Sequence, residues 1–200
     1  MRILILGAGK VGASVAGNLV SESNDITIVD KDKNKINEIQ GMYDLQGIVG
    51  DATSPSVLAD AGAADADMLV AVTASDETNL ATTLIAEQLF NIPARIARVR
   101  NEELREYPAL LSTSGFRATS VIWPEEAVTN SIVQLIHYPE ALQVIDFSTA
   151  DLILVSVKTD AGSKMAGKTV ADIHQVLPDA KVQIVSISRQ KFRVTNIRPD

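Results

Sequence analysis

Arg2-Ile3-Leu4-Ile5-Leu6-Gly7-Ala8-Gly9-Lys10-Val11-Gly12 decides the fold. A short apolar run of the kind buried in a sheet leads straight into G-x-G-x-x-G, and a helical pattern follows it. Glycine triplets occur in many loops and say little alone. Here the triplet lies between strand and helix, and an acid, Asp30, closes the next apolar run, which is the setting of a dinucleotide-binding turn.

Each glycine has its own task. Gly7 permits the tight turn off the strand, and Gly9 lets the backbone approach a pyrophosphate because no Cβ stands in the way. Gly12 heads the stripe Gly12, Val15, Ala16 and Leu19, whose spacing places it on the helix face that packs on the sheet. The amide groups and positive dipole end of that helix suit an anion, and Lys10 adds a cation beside them.

The second run, Ile26-Thr27-Ile28-Val29, ends in Asp30, roughly twenty residues past the last glycine. A carboxylate there accepts hydrogen bonds from ribose hydroxyls and repels a 2′-phosphate, which favours NAD or an adenosine nucleotide over NADP. The competing reading makes Asp30 the cap of a helix beginning near Lys31. Lys31 and Lys33 read as solvated helix residues.

The chain has 200 residues, 46% of them hydrophobic, enough for one or two globular domains. No apolar run approaches the roughly twenty residues needed to span a bilayer, and no cleavage site follows the first strand, so the expected location is cytoplasmic, without direct membrane insertion. Eighteen basic against 25 acidic residues give a formal charge of −7, which argues against nucleic acid as a partner. The absence of cysteine excludes a disulfide framework, a thiolate metal site and a cysteine nucleophile. His137 and His174, each near the end of a helical pattern, read as surface or capping residues, and no metal site is expected.

Strand-like runs recur at 2–6, 26–29, 46–49, 68–72, 95–99 and 118–122. Helical patterns alternate with them at 31–40, 55–61 and 76–90, the last with Ala81, Leu84, Ile85 and Leu89 as its expected buried stripe. This alternation predicts an α/β, Rossmann-like, doubly wound parallel sheet over residues 1–122. Its crevice lies beyond the carboxyl ends of the strands, where Gly7, Asp30, Asp51, Thr73 and Arg98 or Arg100 are gathered by topology.

Residues 123–139 form a connecting or dimerisation helix. Pro124 suits its first position, Glu125 and Glu126 its positive end, and Val128, Ile132, Leu135 and Ile136 make a stripe that packs on its own sheet or on a second subunit. Residues 140–200 read as a small α+β module: strands at 142–148 and 152–158, a short helix near 169–176, and strands at 182–188 and 192–197. The chain stops at Asp200 straight after a strand, as expected of a module whose last sheet is unfinished.

Further stretches carry a family resemblance. Gly50-Asp51-Ala52-Thr53, Val72-Thr73-Ala74-Ser75-Asp76-Glu77-Thr78-Asn79 and Ala97-Arg98-Val99-Arg100-Asn101 resemble the nucleotide-binding RCK (KTN) domain family, and Met165-Ala166-Gly167-Lys168-Thr169-Val170 resembles the start of its C-terminal module. The resemblance implies contacts to NAD(H), or to ATP or ADP at the same site, from Gly7, Ala8, Gly9, Lys10, Val11 and Gly12, from Asp30 and Lys31, and from Asp51 and Ala52 beside the adenine. It implies that Thr73, Ala74, Ser75 and Asn79 border the phosphates or the nicotinamide ribose, and that Arg98 and Arg100 supply cations toward the phosphates or a dimer partner. Being two apart on a strand, these arginines share a face.

The resemblance further implies a regulatory subunit: a homo-oligomer, dimer or tetramer, held on the inner face of the membrane by a TrkH-type potassium transporter subunit. Bland readings stand beside each residue. Asp51 suits a turn or the N-cap of the helix at 54–61, Thr73 a cap, and the arginines ion pairs with surface acids. The alternative function is a Rossmann-type NAD-dependent oxidoreductase, but Asp146, Asp151, Lys158, Lys164, Lys168, Asp172 and His174 show no catalytic spacing, so no catalytic residue is expected.

Overall fold

The computed structural model describes residues 1–20, 23–112, 114–147, 152–172, 183–189 and 192–194. Its contacts separate into two compact units, Met1–Asn130 and Ser131–Asp200.

In the first unit, β1 (Arg2–Leu6), α1 (Lys10–Leu19), β2 (Asp25–Asp30), α2 (Lys33–Met42), β3 (Gln46–Val49), α3 (Pro55–Asp60), β4 (Met68–Ala71), α4 (Asp76–Phe90), β5 (Ala94–Arg98), α5 (Pro108–Leu111) and β6 (Ser120–Ile122) follow in sequence. The six strands form one sheet in the order β3-β2-β1-β4-β5-β6. All its pairings are parallel, with Ile5 of β1 opposite Ile28 on one side and Val70 on the other. Strand order reverses beside β1, which opens the crevice at its carboxyl end.

Alternation along the strands divides the core into two layers. Ile3, Ile5, Ile26, Ile28 and Val70 pack with Ala16 of α1 and with Ile36 and Ile39 of α2. Leu4, Leu6, Val29, Leu69 and Ala71 face the other way, onto Leu58 of α3 and Ala86 of α4. Leu4, Ile5, Leu6 and Ile28 are fully buried, each worth about 1.5–3 kcal/mol relative to exposure. Strands covered on both faces therefore read as continuous apolar runs.

Two helices depart from expectation. The helix expected over 31–40 begins at Lys33, because Asp32 is the N-cap and accepts the Asn34 N–H. In α4 the expected stripe Ala81, Leu84, Ile85 and Leu89 is displaced. The buried positions are Asn79, Leu80, Thr82, Thr83 and Ala86, while Leu89 is 57% exposed. The polar ones are buried because each is satisfied: Thr82 donates to the Asn79 carbonyl, and the Thr83 hydroxyl lies 2.7 Å from the carbonyls of both Leu80 and Phe116. Turns of 3-10 helix at Ala63–Asp65 and Glu102–Glu106, and α5, carry no periodic pattern and were not expected.

Helix α6 (Pro124–His137) opens at Pro124, with Glu125 and Glu126 in its first turn and an exposed His137 in its last. Its stripe of Val128, Ile132, Leu135 and Ile136 is exposed. In the second unit β7 (Ala141–Phe147) pairs antiparallel with β8 (Leu152–Val157), and β9 (Ile187–Arg189) with β10 (Phe192–Val194). The strand expected over 182–188 therefore starts only at Ile187, within the part of it that is described. The short helix begins at 170, where Thr169 and Asp172 cap it reciprocally. His174, Ser148, Asp151, Val182 and the ends of the expected helix and last strand lie outside the described residues. Among the described residues no helix is long and apolar enough to cross a membrane, and no group of His, Asp or Glu is arranged to hold a metal ion.

Candidate nucleotide-binding site

The carboxyl ends of β1, β2, β3, β4 and β5 carry the predicted residues. Gly7 sits at φ +104, and a Cβ there would come within 3.0 Å of the Thr73 backbone, so the turn after β1 lies directly against the turn after β4. A Cβ on Gly12 would fall 1.8 Å from the Gly7 carbonyl oxygen. Gly9 differs from both: among the described residues a Cβ there would meet nothing within 4 Å. The first and third glycines are required by the protein itself, whereas nothing among the described residues explains the second.

Gly9 is the N-cap of α1 and supplies no side-chain acceptor, and no acid stands in the helix's first turn. Lys10 and Val11 are exposed beside it. The other long helix of the crevice is the reverse case. At α4 the Ser75 hydroxyl accepts the Thr78 N–H at 3.0 Å, and Asp76 and Glu77 occupy the first turn. A diphosphate is therefore matched by the start of α1 and opposed by the start of α4.

Asp30 joins this turn to β2. Its Oδ2 accepts the Ala8 N–H at 2.7 Å and its Oδ1 accepts the Asp32 N–H at 2.9 Å. The helix-cap reading of Asp30 thus passes to Asp32. Asp30 braces the glycine turn from a half-buried position that leaves its remaining lone pairs available.

Asp51 lies at the neighbouring lip and makes an Asx turn rather than a helix cap. It accepts the Thr53 N–H at 2.9 Å and the Thr53 hydroxyl at 2.8 Å, and pairs with Lys31 Nζ at 3.0 Å, while Ser54 is the N-cap of α3. The Thr53 hydrogen bonds, with Lys31 adding to them, hold its carboxyl down at about 2. Lys31, expected to be solvated, is exposed but paired across the lip. Ala52 is buried in the core, so only its backbone can reach a ligand.

On the other side of Gly7 a polar bracket ties β4, α4 and β5. The Asn79 Oδ1 accepts the Thr73 N–H at 2.9 Å and the Thr73 hydroxyl at 2.7 Å, and its Nδ2 donates to the Arg98 carbonyl at 2.8 Å. Asn79 is fully buried and acts as a support for Thr73, not as a ligand group. Thr73 does not cap α4, since Ser75 does. The two arginines separate in role. The Arg100 guanidinium donates to the Ala74 carbonyl and lies 3.6 Å from Asp76 Oδ1, whereas Arg98 has a buried Nε without a hydrogen-bond partner among the described residues. Arg95, not singled out from the sequence, is a buried cation satisfied by the carbonyls of Ile92, Pro93 and Arg117.

An open depression of about 400 Å³ lies instead at the amino ends of β1 and β2, lined by Met1, Arg2, Ser23, Asp25, Asp65 and Asp67. Its three carboxylates, one already paired with Arg2 at 3.3 Å, do not suit a phosphate. The uncapped α1, the open side of Gly9 and the unpartnered Arg98 Nε all fit a nucleotide diphosphate at the carboxyl edge.

Six parallel strands in this order, opened by a glycine turn onto an uncapped helix and flanked by an acid at the end of β2, define a Rossmann-type α/β domain. Residues 3–124 match the TrkA-N domain, and the chain belongs to that family. It is 46% identical over 191 residues to the Trk system potassium uptake protein TrkA of Vibrio alginolyticus, covering 95% of this chain and 42% of the relative. With the TrkA protein of Haemophilus influenzae it is 45% identical over 190 residues, 94% of this chain and 42% of the relative. The chain thus spans less than half the length of these relatives. A solved structure described as the GsuK channel bound to NAD shares the fold with a TM-score of 0.65 at 20% identity, over 96% of this chain and 34% of that one.

Proposed function

We propose that this chain is the nucleotide-sensing part of a cytoplasmic regulatory subunit of a potassium uptake system. The single observation that carries the reading is the contrast at the crevice: Gly9 offers an open face at the uncapped start of α1, while the protein's own acids fill the start of α4. A nucleotide diphosphate, with its adenosine ribose on Asp30 and its adenine beside Asp51, uses that geometry. The names of the relatives support the potassium-transport context, and the channel that shares the fold is described as bound to NAD.

In this reading Gly7, Gly9 and Gly12 shape the turn, and the amides at Lys10, Val11 and Gly12 and the Lys10 ammonium meet the phosphates. Asp30 selects the unphosphorylated ribose, so NAD(H), ATP and ADP are preferred to NADP. The residues at 123–139 act as the connecting and dimerisation helix of a homo-oligomer that sits on a TrkH-type membrane transporter subunit, with residues 140–200 as its small C-terminal module. Regulation needs only that two arrangements of the assembly bind the nucleotide unequally. A tenfold difference supplies about 1.4 kcal/mol of bias per site, and symmetric sites add.

The test is a titration of the chain with NADH, NAD⁺, ADP, ATP and NADPH, read by calorimetry and by oligomer size. Saturable binding of the first four, with NADPH weaker, is expected. Absence of binding at millimolar nucleotide refutes the reading, and steady oxidation of NADH with a small carbonyl substrate transfers the protein to the oxidoreductases.

A further inference from the structure

Arg100 is held in a way that the nucleotide reading leaves unexplained. Asp76 Oδ2 accepts the backbone N–H of Arg100 and of Asn101, both at 2.8 Å, while its Oδ1 lies 3.6 Å from the Arg100 Nε and has no hydrogen bond among the described residues. The Arg100 guanidinium also donates to the Ala74 carbonyl. One carboxylate therefore anchors the chain after β5, engages the more exposed of the two crevice arginines, and occupies the positive end of α4 together with Glu77.

Two hydrogen bonds to backbone amides suffice for the anchoring, and an asparagine side-chain oxygen has the two lone pairs they need, though it accepts less strongly than a carboxylate. The charge is not needed for that purpose. Its electrical consequence is that the part of the crevice bordered by Ser75 to Asn79 is left with Arg98, whose Nε has no hydrogen-bond partner among the described residues, and carries two acids where a phosphate would otherwise gain from the helix dipole.

Resting on the proposed nucleotide site, we propose that Asp76 is its charge-selecting positioning residue. By neutralising Arg100 and keeping a negative charge at the start of α4, it makes the crevice accept the nicotinamide riboside end of NAD(H), which has no terminal phosphate, in preference to the γ-phosphate of ATP. ATP gains Arg100 only by drawing it away from Asp76.

The experiment is calorimetric titration of the chain with NADH, ADP and ATP at fixed ionic strength, for the unaltered protein, Asp76→Asn, Arg100→Gln and the double variant. Asp76→Asn is expected to tighten ATP by about 3- to 5-fold while moving NADH less than about 2-fold, the size of an exposed ion pair. That gain shrinks in the Arg100→Gln background, because the two residues act as a pair. Equal changes for ATP and NADH, or a gain that persists undiminished without Arg100, overturn the inference and leave Asp76 as an anchor only. Should Asp76→Asn lose cooperative melting, Arg100→Gln alone decides: ATP must weaken relative to NADH, and an unchanged ratio overturns the inference. If the unaltered chain binds no nucleotide, the site itself fails and the inference with it; binding with an unmoved ratio sinks only the inference.

Discussion

Gly9→Ala separates what the protein needs from what a ligand needs. The residue has φ −74 and ψ −175, an extended conformation open to any amino acid, and the added methyl group meets nothing within 4 Å. Folding stability should change by no more than about 0.5 kcal/mol, or rise slightly because the unfolded chain loses freedom. A phosphate packed on the Gly9 backbone loses its place to that same methyl group, so NADH affinity should fall at least tenfold, about 1.4 kcal/mol or more. Gly12→Ala is the control in the opposite direction. Its Cβ would lie 1.8 Å from the Gly7 carbonyl oxygen, so the turn must rearrange and the melting temperature must drop. Thermal melting and calorimetry on both variants provide the assay. An unchanged melt for Gly9→Ala together with NADH affinity within twofold of the unaltered chain would refute the reasoning, because the open face of Gly9 would then face no ligand.

Other perturbations address the crevice one element at a time. Asp30→Ala removes acceptors from the Ala8 and Asp32 amides; stability should fall by about 1–3 kcal/mol in denaturant melts and NADH should bind more weakly, whereas unchanged NADH affinity would leave Asp30 a brace alone. Thr83→Val removes a buried hydroxyl that lies 2.7 Å from the Leu80 and Phe116 carbonyls, at a cost of about 1–3 kcal/mol, and a loss below about 0.5 kcal/mol would mean that the hydroxyl is dispensable. Asp51 should make stability acid-sensitive. Its folded carboxyl sits at about 2 against an ordinary 3.8, so the stabilisation is present above that ordinary value and disappears as pH falls through the lowered one. Exposure makes the effect small. Between these two pH values the melting temperature of the unaltered chain should fall more steeply than that of Asp51→Asn, and parallel curves would contradict this.

Much of the first unit was legible because its signals are local. Leu4, Ile5 and Leu6 are apolar on both faces of a strand, and Gly7, Gly9 and Gly12 sit where strand meets helix, so order and site could be read together. The buried face of α4 was not legible. Asn79, Thr82 and Thr83 look solvent-facing by residue type, and their burial is tolerable because each finds partners: Thr73 and the Arg98 carbonyl for Asn79, the Asn79 carbonyl for Thr82, and the Leu80 and Phe116 carbonyls for Thr83. Two acids spaced like Asp30 and Asp32 offer no local sign of which caps α2; the Ala8 amide claims the first and so leaves the cap to the second. Alternation puts Arg98 and Arg100 on one face only if the strand runs through both; β5 ends at Arg98, and Asp76, far away in sequence, engages Arg100 alone. Such tertiary partners carry no periodicity.

The central claim is that a nucleotide diphosphate rests on the amides opening α1. Backbone ¹⁵N–¹H shifts of the uniformly labelled chain, followed through a titration with NADH, test it most directly. The account predicts the largest saturable changes at Gly9, Lys10, Val11 and Gly12, with Ala8 and Asp32 moving as Asp30 adjusts to the ribose. Saturation with those amides still, or with the changes centred on the amino ends of β1 and β2, would contradict it.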